Sequence, residues 1–116
     1  MDRVKPIVIR DRENGIEYTL QFNRSSVEFT NSQGFKMSEL MDNVETMLPI
    51  LFYGAFRMHH RNIARSTTDK MLWEEISPVS QDFIVRLIDL YTEPRQALIN
   101  DDPEAERKNP NMTVEL

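Results

Sequence analysis

The only two histidines of the chain, His59 and His60, are adjacent, and imidazole is the side chain best suited to bind a transition metal or move a proton near neutral pH. On a helix, neighbouring side chains point about 100° apart, so the two rings do not converge on one ion. Their helical neighbours are Ala55, Phe56, Arg57, Asn62, Ile63 and Ala64; none is a carboxylate, and Arg57, Arg61 and Arg65 repel a cation. The pair reads as a polar helix end, where cationic side chains meet the negative pole of the helix dipole. No serine sits in a Gly-x-Ser-x-Gly elbow, and the three glycines form no phosphate-binding loop. Glu74-Glu75 and Asp101-Asp102 lie in polar contexts that do not split their pKa values, so they read as solvated surface rather than an acid/base pair. The residues call for no catalyst, no metal and no cofactor.

What remains is surface. Arg57, His59, His60, Arg61, Arg65 and Lys70 make one basic patch in a chain with 14 Lys+Arg, 19 Asp+Glu and a net charge of -5. A small nucleic-acid-binding regulator using residues 57–70 is the alternative reading. The acidic balance opposes it, and residues 63–70 hold no aromatic side chain on which a base would stack. A solvated face or an acidic protein partner fits better. Seven methionines are many for 116 residues, and methionine suits both irregular cores and adaptable binding surfaces. The absence of cysteine excludes a disulfide scaffold and a thiolate site. No apolar run approaches the ~18 residues of a membrane span; the densest, 47–56, contains Pro49 and Gly54. Met1-Asp2-Arg3-Val4-Lys5-Pro6 lacks the apolar core of a signal peptide. The expected location is the cytoplasm, without membrane partners.

The elements follow from periodicity. Ile16, Tyr18, Leu20 and Phe22 alternate with polar residues, the period of a half-buried strand. Asn14-Gly15 before them suits a two-residue type I′ turn, which would pair Ile9 with Leu20, Ile7 with Phe22 and Arg12 with Glu17. A hairpin over 4–22 then places Ile7, Ile9, Tyr18, Leu20 and Phe22 on one face. Ser25 and Glu28 read as a capping box for a helix over 25–33 ended by Gly34. The series Val44, Met47, Leu48, Leu51, Phe52, Ala55, Phe56 predicts a central helix over 45–61, starting near Thr46 so that Pro49 stays in the first turn. Ser66 and Asp69 suggest a capped helix over 67–76, with Met71, Leu72 and Ile76 facing the core and Trp73 helping. Ser80 caps a last helix, 80–99, striped by Phe83, Ile84, Leu87, Ile88 and Tyr91, with Pro94 ending or kinking it. The expected fold is α+β, mainly α: an N-terminal hairpin packed on a bundle of about four helices within one domain, 1–100. Residues 101–116 read as an acidic, solvated tail with a strand-prone Met112-Thr113-Val114-Glu115-Leu116.

The order of these pieces resembles the small tail assembly chaperones of long-tailed bacteriophages and prophages. The likeness lies in Glu17-Tyr18-Thr19-Leu20-Gln21-Phe22-Asn23-Arg24, then Thr46-Met47-Leu48-Pro49-Ile50-Leu51-Phe52-Tyr53-Gly54-Ala55-Phe56. It continues through His59-His60, Thr68-Asp69-Lys70 and Leu87-Ile88-Asp89-Leu90-Tyr91, spanning residues 16–99. Its motifs are hydrophobic patterns, not a catalytic signature. One departure is Arg61-Asn62, where family members often carry a proline. The resemblance implies a non-enzymatic assembly factor acting in the cytoplasm of the bacterial host and absent from the mature virion. It would bind and solubilise the tape measure protein, help recruit tail-tube subunits and self-associate. Such a role asks for an apolar groove. The candidates are Leu51, Phe52, Phe56 and Met58 near the groove, with Arg57 and Arg61 at its rim.

Overall fold

The computed structural model describes residues 4–98 and Glu115. Two short strands, β1 (Ile7–Arg10) and β2 (Glu17–Leu20), pair antiparallel. The register is Ile7 with Leu20, Ile9 with Tyr18 and Arg10 with Glu17, two residues away from the one a type I′ turn would set. The reason lies in the loop. Gly15 takes a positive φ of 74° but Asn14 does not; instead the Asn14 side chain accepts the Ile16 N–H at 2.9 Å. Gly15 N–H donates to the Asp11 carbonyl and Asp11 N–H to that of Ile16, a longer loop with a single left-handed residue. A shift of two preserves side-chain parity. Ile7, Ile9, Tyr18 and Leu20 therefore still face the helices, while Arg10 rather than Arg12 pairs with Glu17 on the outside.

Helix α1 spans Arg24–Ser32. Its cap is Asn23, not Ser25: Asn23 accepts from Ser26 N–H, and the Ser26 hydroxyl accepts from Asn23 N–H, both at 2.8 Å. The earlier start frees Glu28 to pair with Arg24 across one turn. Gly34, at φ 99°, takes the left-handed conformation after the helix. A short 3-10 turn, Met37–Glu39, leads into α2, Val44–Phe56. Pro49 lies inside this helix rather than in its first turn, so the Glu45 carbonyl receives no N–H from it. Helix α2 stops five residues short of the expected Arg61; residues 57–59 form turns.

Helix α3, Arg65–Lys70, runs directly into a π-helical segment, Met71–Ile76. Neither Ser66 nor Asp69 caps it. Ala64 holds the cap position, and Asp69 instead accepts from Arg65 Nε at 2.9 Å. The last helix, α4, covers Gln81–Leu98 and continues through Pro94. Ser80 caps it as expected, its hydroxyl accepting Phe83 N–H at 3.1 Å. The architecture is a two-stranded hairpin followed by four helices, α+β and mainly α.

One core joins these elements. Leu20, Phe22, Leu51, Phe52, Phe56, Leu87, Leu90 and Tyr91 are all buried in it. Phe22 and Phe35 meet Tyr91 edge-on at 5.5 and 5.0 Å, and Phe52 meets Phe56 at 5.0 Å; such pairs add about 0.5–1.5 kcal/mol each beyond their burial. Tyr91 donates its hydroxyl hydrogen to Asn31 at 2.6 Å, tying α4 to α1. Ile99, Asn100 and the expected tail, apart from the exposed Glu115, lie outside the described residues. Among the described residues, no helix is long and apolar enough to cross a membrane.

Candidate functional site

The residues expected around a groove separate into two groups. Leu51, Phe52 and Phe56 are 0% exposed: they belong to the interior of the monomer and line no accessible groove. Their three-four spacing marks a buried face, and here that face is covered by β2, α1 and α4. Arg57, Met58 and Arg61 lie beyond the end of α2, in the turns that follow it. Met58 is 39% exposed and Arg61 is exposed. The Arg57 guanidinium stacks 4.3 Å from the centre of the Phe29 ring and donates to the Arg61 carbonyl at 3.3 Å. Arg65 is bound to Asp69, so both Arg57 and Arg65 of the basic patch are engaged within the molecule, as are its two histidines.

The twin histidines brace the hairpin. His60 Nε2 accepts the Thr19 N–H at 2.9 Å, which places its proton on Nδ1. His59 Nε2 lies 2.8 Å from Gln21 Oε1, and the two imidazoles stand 6.5 Å apart. Among the described residues no cluster of three or more His, Asp or Glu side chains is arranged to hold a metal. Because α2 has ended by this point, the histidines form a strand clasp rather than a polar helix terminus.

Burial, and secondarily the charge of His59, lower the His60 pKa below 6.5. A folded-state pKa below the unfolded value means the unfolded chain takes up its proton first as pH falls. Stability from this group is complete above pH 6.5 and declines below it through the folded value. Thermal unfolding followed from about pH 8 to about pH 5 should show a falling midpoint. His60→Gln, which keeps an acceptor but cannot titrate, should flatten that slope.

The surface with binding character lies elsewhere. Val44, Glu45, Leu48, Pro49, Leu72, Trp73 and Ser77 surround a mostly apolar recess of about 180 Å³ between the start of α2 and the π segment. Trp73, the only tryptophan of the chain, is 57% exposed at this recess. The exposed part of the indole forgoes burial energy, and it stands beside further apolar surface in the recess. Met71 and Leu72 face inward as expected, whereas Trp73, expected to help the core, lies outside it; about 100° per residue already turns position 73 away from the face shared by 71, 72 and 76. The readable signals were Pro49 inside an apolar helix and a tryptophan followed by Glu74-Glu75. Glu45, which lines the recess, gives it a negative side. No curated protein and no solved structure matches the chain significantly. One family model matches residues 3–116, and the chain belongs to that family, the domain of unknown function DUF5055.

Proposed function

We propose that this protein is a non-enzymatic assembly factor that holds an apolar helical segment of a partner polypeptide in the Trp73 recess. Following the resemblance over residues 16–99, the partner is a phage tape measure protein, and recruitment of tail-tube subunits is the downstream step. The observation that carries the reading is Trp73, more than half exposed beside an apolar recess. Isolated apolar residues are ordinary on a surface, but an exposed tryptophan flanked by Val44, Leu48, Pro49 and Leu72 has the composition of an interface anchor. Glu45 lines the recess, and exposed Glu74 and Glu75 follow Trp73, so the favoured partner face is an apolar stripe bordered by Lys or Arg. An amphipathic helix laid in a groove presents such a face.

Co-expression with the tape measure protein tests this. The wild-type chain is expected to keep that protein soluble and to co-elute with it. Trp73→Ala should abolish co-elution while shifting stability by no more than about 0.5 kcal/mol, as for other exposed positions. Persistent insolubility of the tape measure protein in the presence of the wild-type chain would refute the reading. The nucleic-acid alternative predicts salt-sensitive retention on heparin that Arg61→Ala weakens.

A further inference from the structure

The two edges of the hairpin are treated differently. On β2 the outward Thr19 N–H goes to His60, and just past the strand the Gln21 N–H goes to the Ala55 carbonyl, so the C-terminal part of this edge is covered. Opposite residues of an antiparallel pair share the same bonding phase. Val8 faces Thr19 and Arg10 faces Glu17; their N–H and C=O groups therefore point away from β2, toward the outer side of β1. No backbone or side-chain group among the described residues meets them there. That open edge borders a recess of about 350 Å³ lined by Ile7, Val8 and Ile9 on one side and Ile76, Val79 and Phe83 on the other. Val8 is 49% exposed, and Ile7 and Ile9 are only half-buried.

We infer that β1 pairs with β1 of a second copy, antiparallel about a two-fold axis at Val8, to join two hairpins into one four-stranded sheet. The segment is complementary to itself in this register. Val8 meets Val8 of the other copy, with both of its outward groups bonded reciprocally. Ile7 meets Ile9 on the face that looks toward the recess, so apolar side chains enter apolar space. Lys5 falls opposite Asp11, giving opposite charges at each end. Pro6, which has no N–H, falls opposite Arg10 at the ends of the ribbon, where its carbonyl can still accept from Arg10; moving the axis toward the N-terminus would bring Pro6 to the middle and lose more bonds. A strand edge left open beside apolar side chains is otherwise an aggregation hazard. The pairing stands apart from the Trp73 recess, and either can fail without the other.

Sedimentation or light scattering of the full chain over a range of concentrations tests it. The wild-type chain should run at twice the chain mass and dissociate on dilution. Val8→Lys places two ammonium groups face to face at the axis and should return the chain mass, with an unchanged circular dichroism spectrum because Val8 is about half exposed and lies outside the core. Val8→Glu alone should do the same. An equimolar mixture of the two variants should recover the double mass, since Lys then meets Glu; this recovery depends on the strand contact and not on either monomer's fold. A wild-type chain that stays at the chain mass at every concentration would overturn the pairing, as would a dimer that Val8→Lys leaves intact or a mixture that fails to reassociate.

Discussion

Replacing Phe56 by alanine is expected to destabilise the protein by about 3–5 kcal/mol, the range for truncating a buried phenylalanine. The ring is fully buried and meets Tyr18 at 5.7 Å, Phe52 at 5.0 Å and His60 at 6.1 Å. Its removal empties the point where β2, α2 and the histidine turn come together. Domains of this kind hold roughly 5–15 kcal/mol in total, so the variant should lose a large part of its margin. Urea unfolding should show a lower midpoint at an unchanged slope. Met58→Ala, two residues on and partly exposed, should move it by about 0.5 kcal/mol or less. The contrast separates two roles that the sequence pattern assigns alike. If Phe56→Ala left the midpoint in place and instead abolished partner binding, Leu51, Phe52 and Phe56 would be groove residues after all.

The second large effect is at Gly54. Helices α1 and α2 approach so closely there that a Cβ on Gly54 would lie 1.8 Å from Thr30 Oγ1 and 2.8 Å from its Cβ. Thr30 is fully buried, and its hydroxyl donates to the Ser26 carbonyl at 2.7 Å, so it cannot swing aside without breaking that bond. Overpacking of this kind costs about 1–3 kcal/mol, occasionally more. Alanine would regain up to about 1 kcal/mol of helix propensity over glycine, yet the contact is with a β-branched side chain held on a neighbouring helix. Gly54→Ala should therefore lose about 1–2 kcal/mol net, and the thermal midpoint should fall by roughly 5–10 °C for a domain of this size. Thr30→Ala should be worth less destabilisation in the Gly54→Ala background than in the wild type. A double-mutant cycle reads that coupling directly, and additive effects would contradict the close crossing.

Much of the fold is legible in residue patterns because it depends on parity and on strong local chemistry. The inward face of the hairpin survives a two-residue error in register, since both registers keep Ile7, Ile9, Tyr18 and Leu20 together. Gly34 and Ser80 act where a left-handed residue and a cap are needed. The register itself was not legible, because Asn14-Gly15 satisfies both a turn with two positive φ angles and a longer loop in which Asn14 bonds through its side chain. Ser25 was a plausible cap, but Asn23 competes for the same helix start and wins with a reciprocal bond to Ser26. The candidate site was harder to read. Three-four spacing is the same for a core face and a groove face, so Leu51, Phe52 and Phe56 do not announce which they are. Size and apolarity assign Trp73 to the core, although helical spacing turns it away from the face that Met71, Leu72 and Ile76 share.

Because Trp73 is the single tryptophan, its emission reports on the proposed recess without labelling. The most direct test is a fluorescence titration of the full chain with a tryptophan-free helical segment of the tape measure protein. Capture of an apolar stripe against Trp73 predicts a saturable blue shift as the indole leaves water. Emission that stays at the wavelength of a solvent-exposed indole throughout the titration would contradict the proposed function.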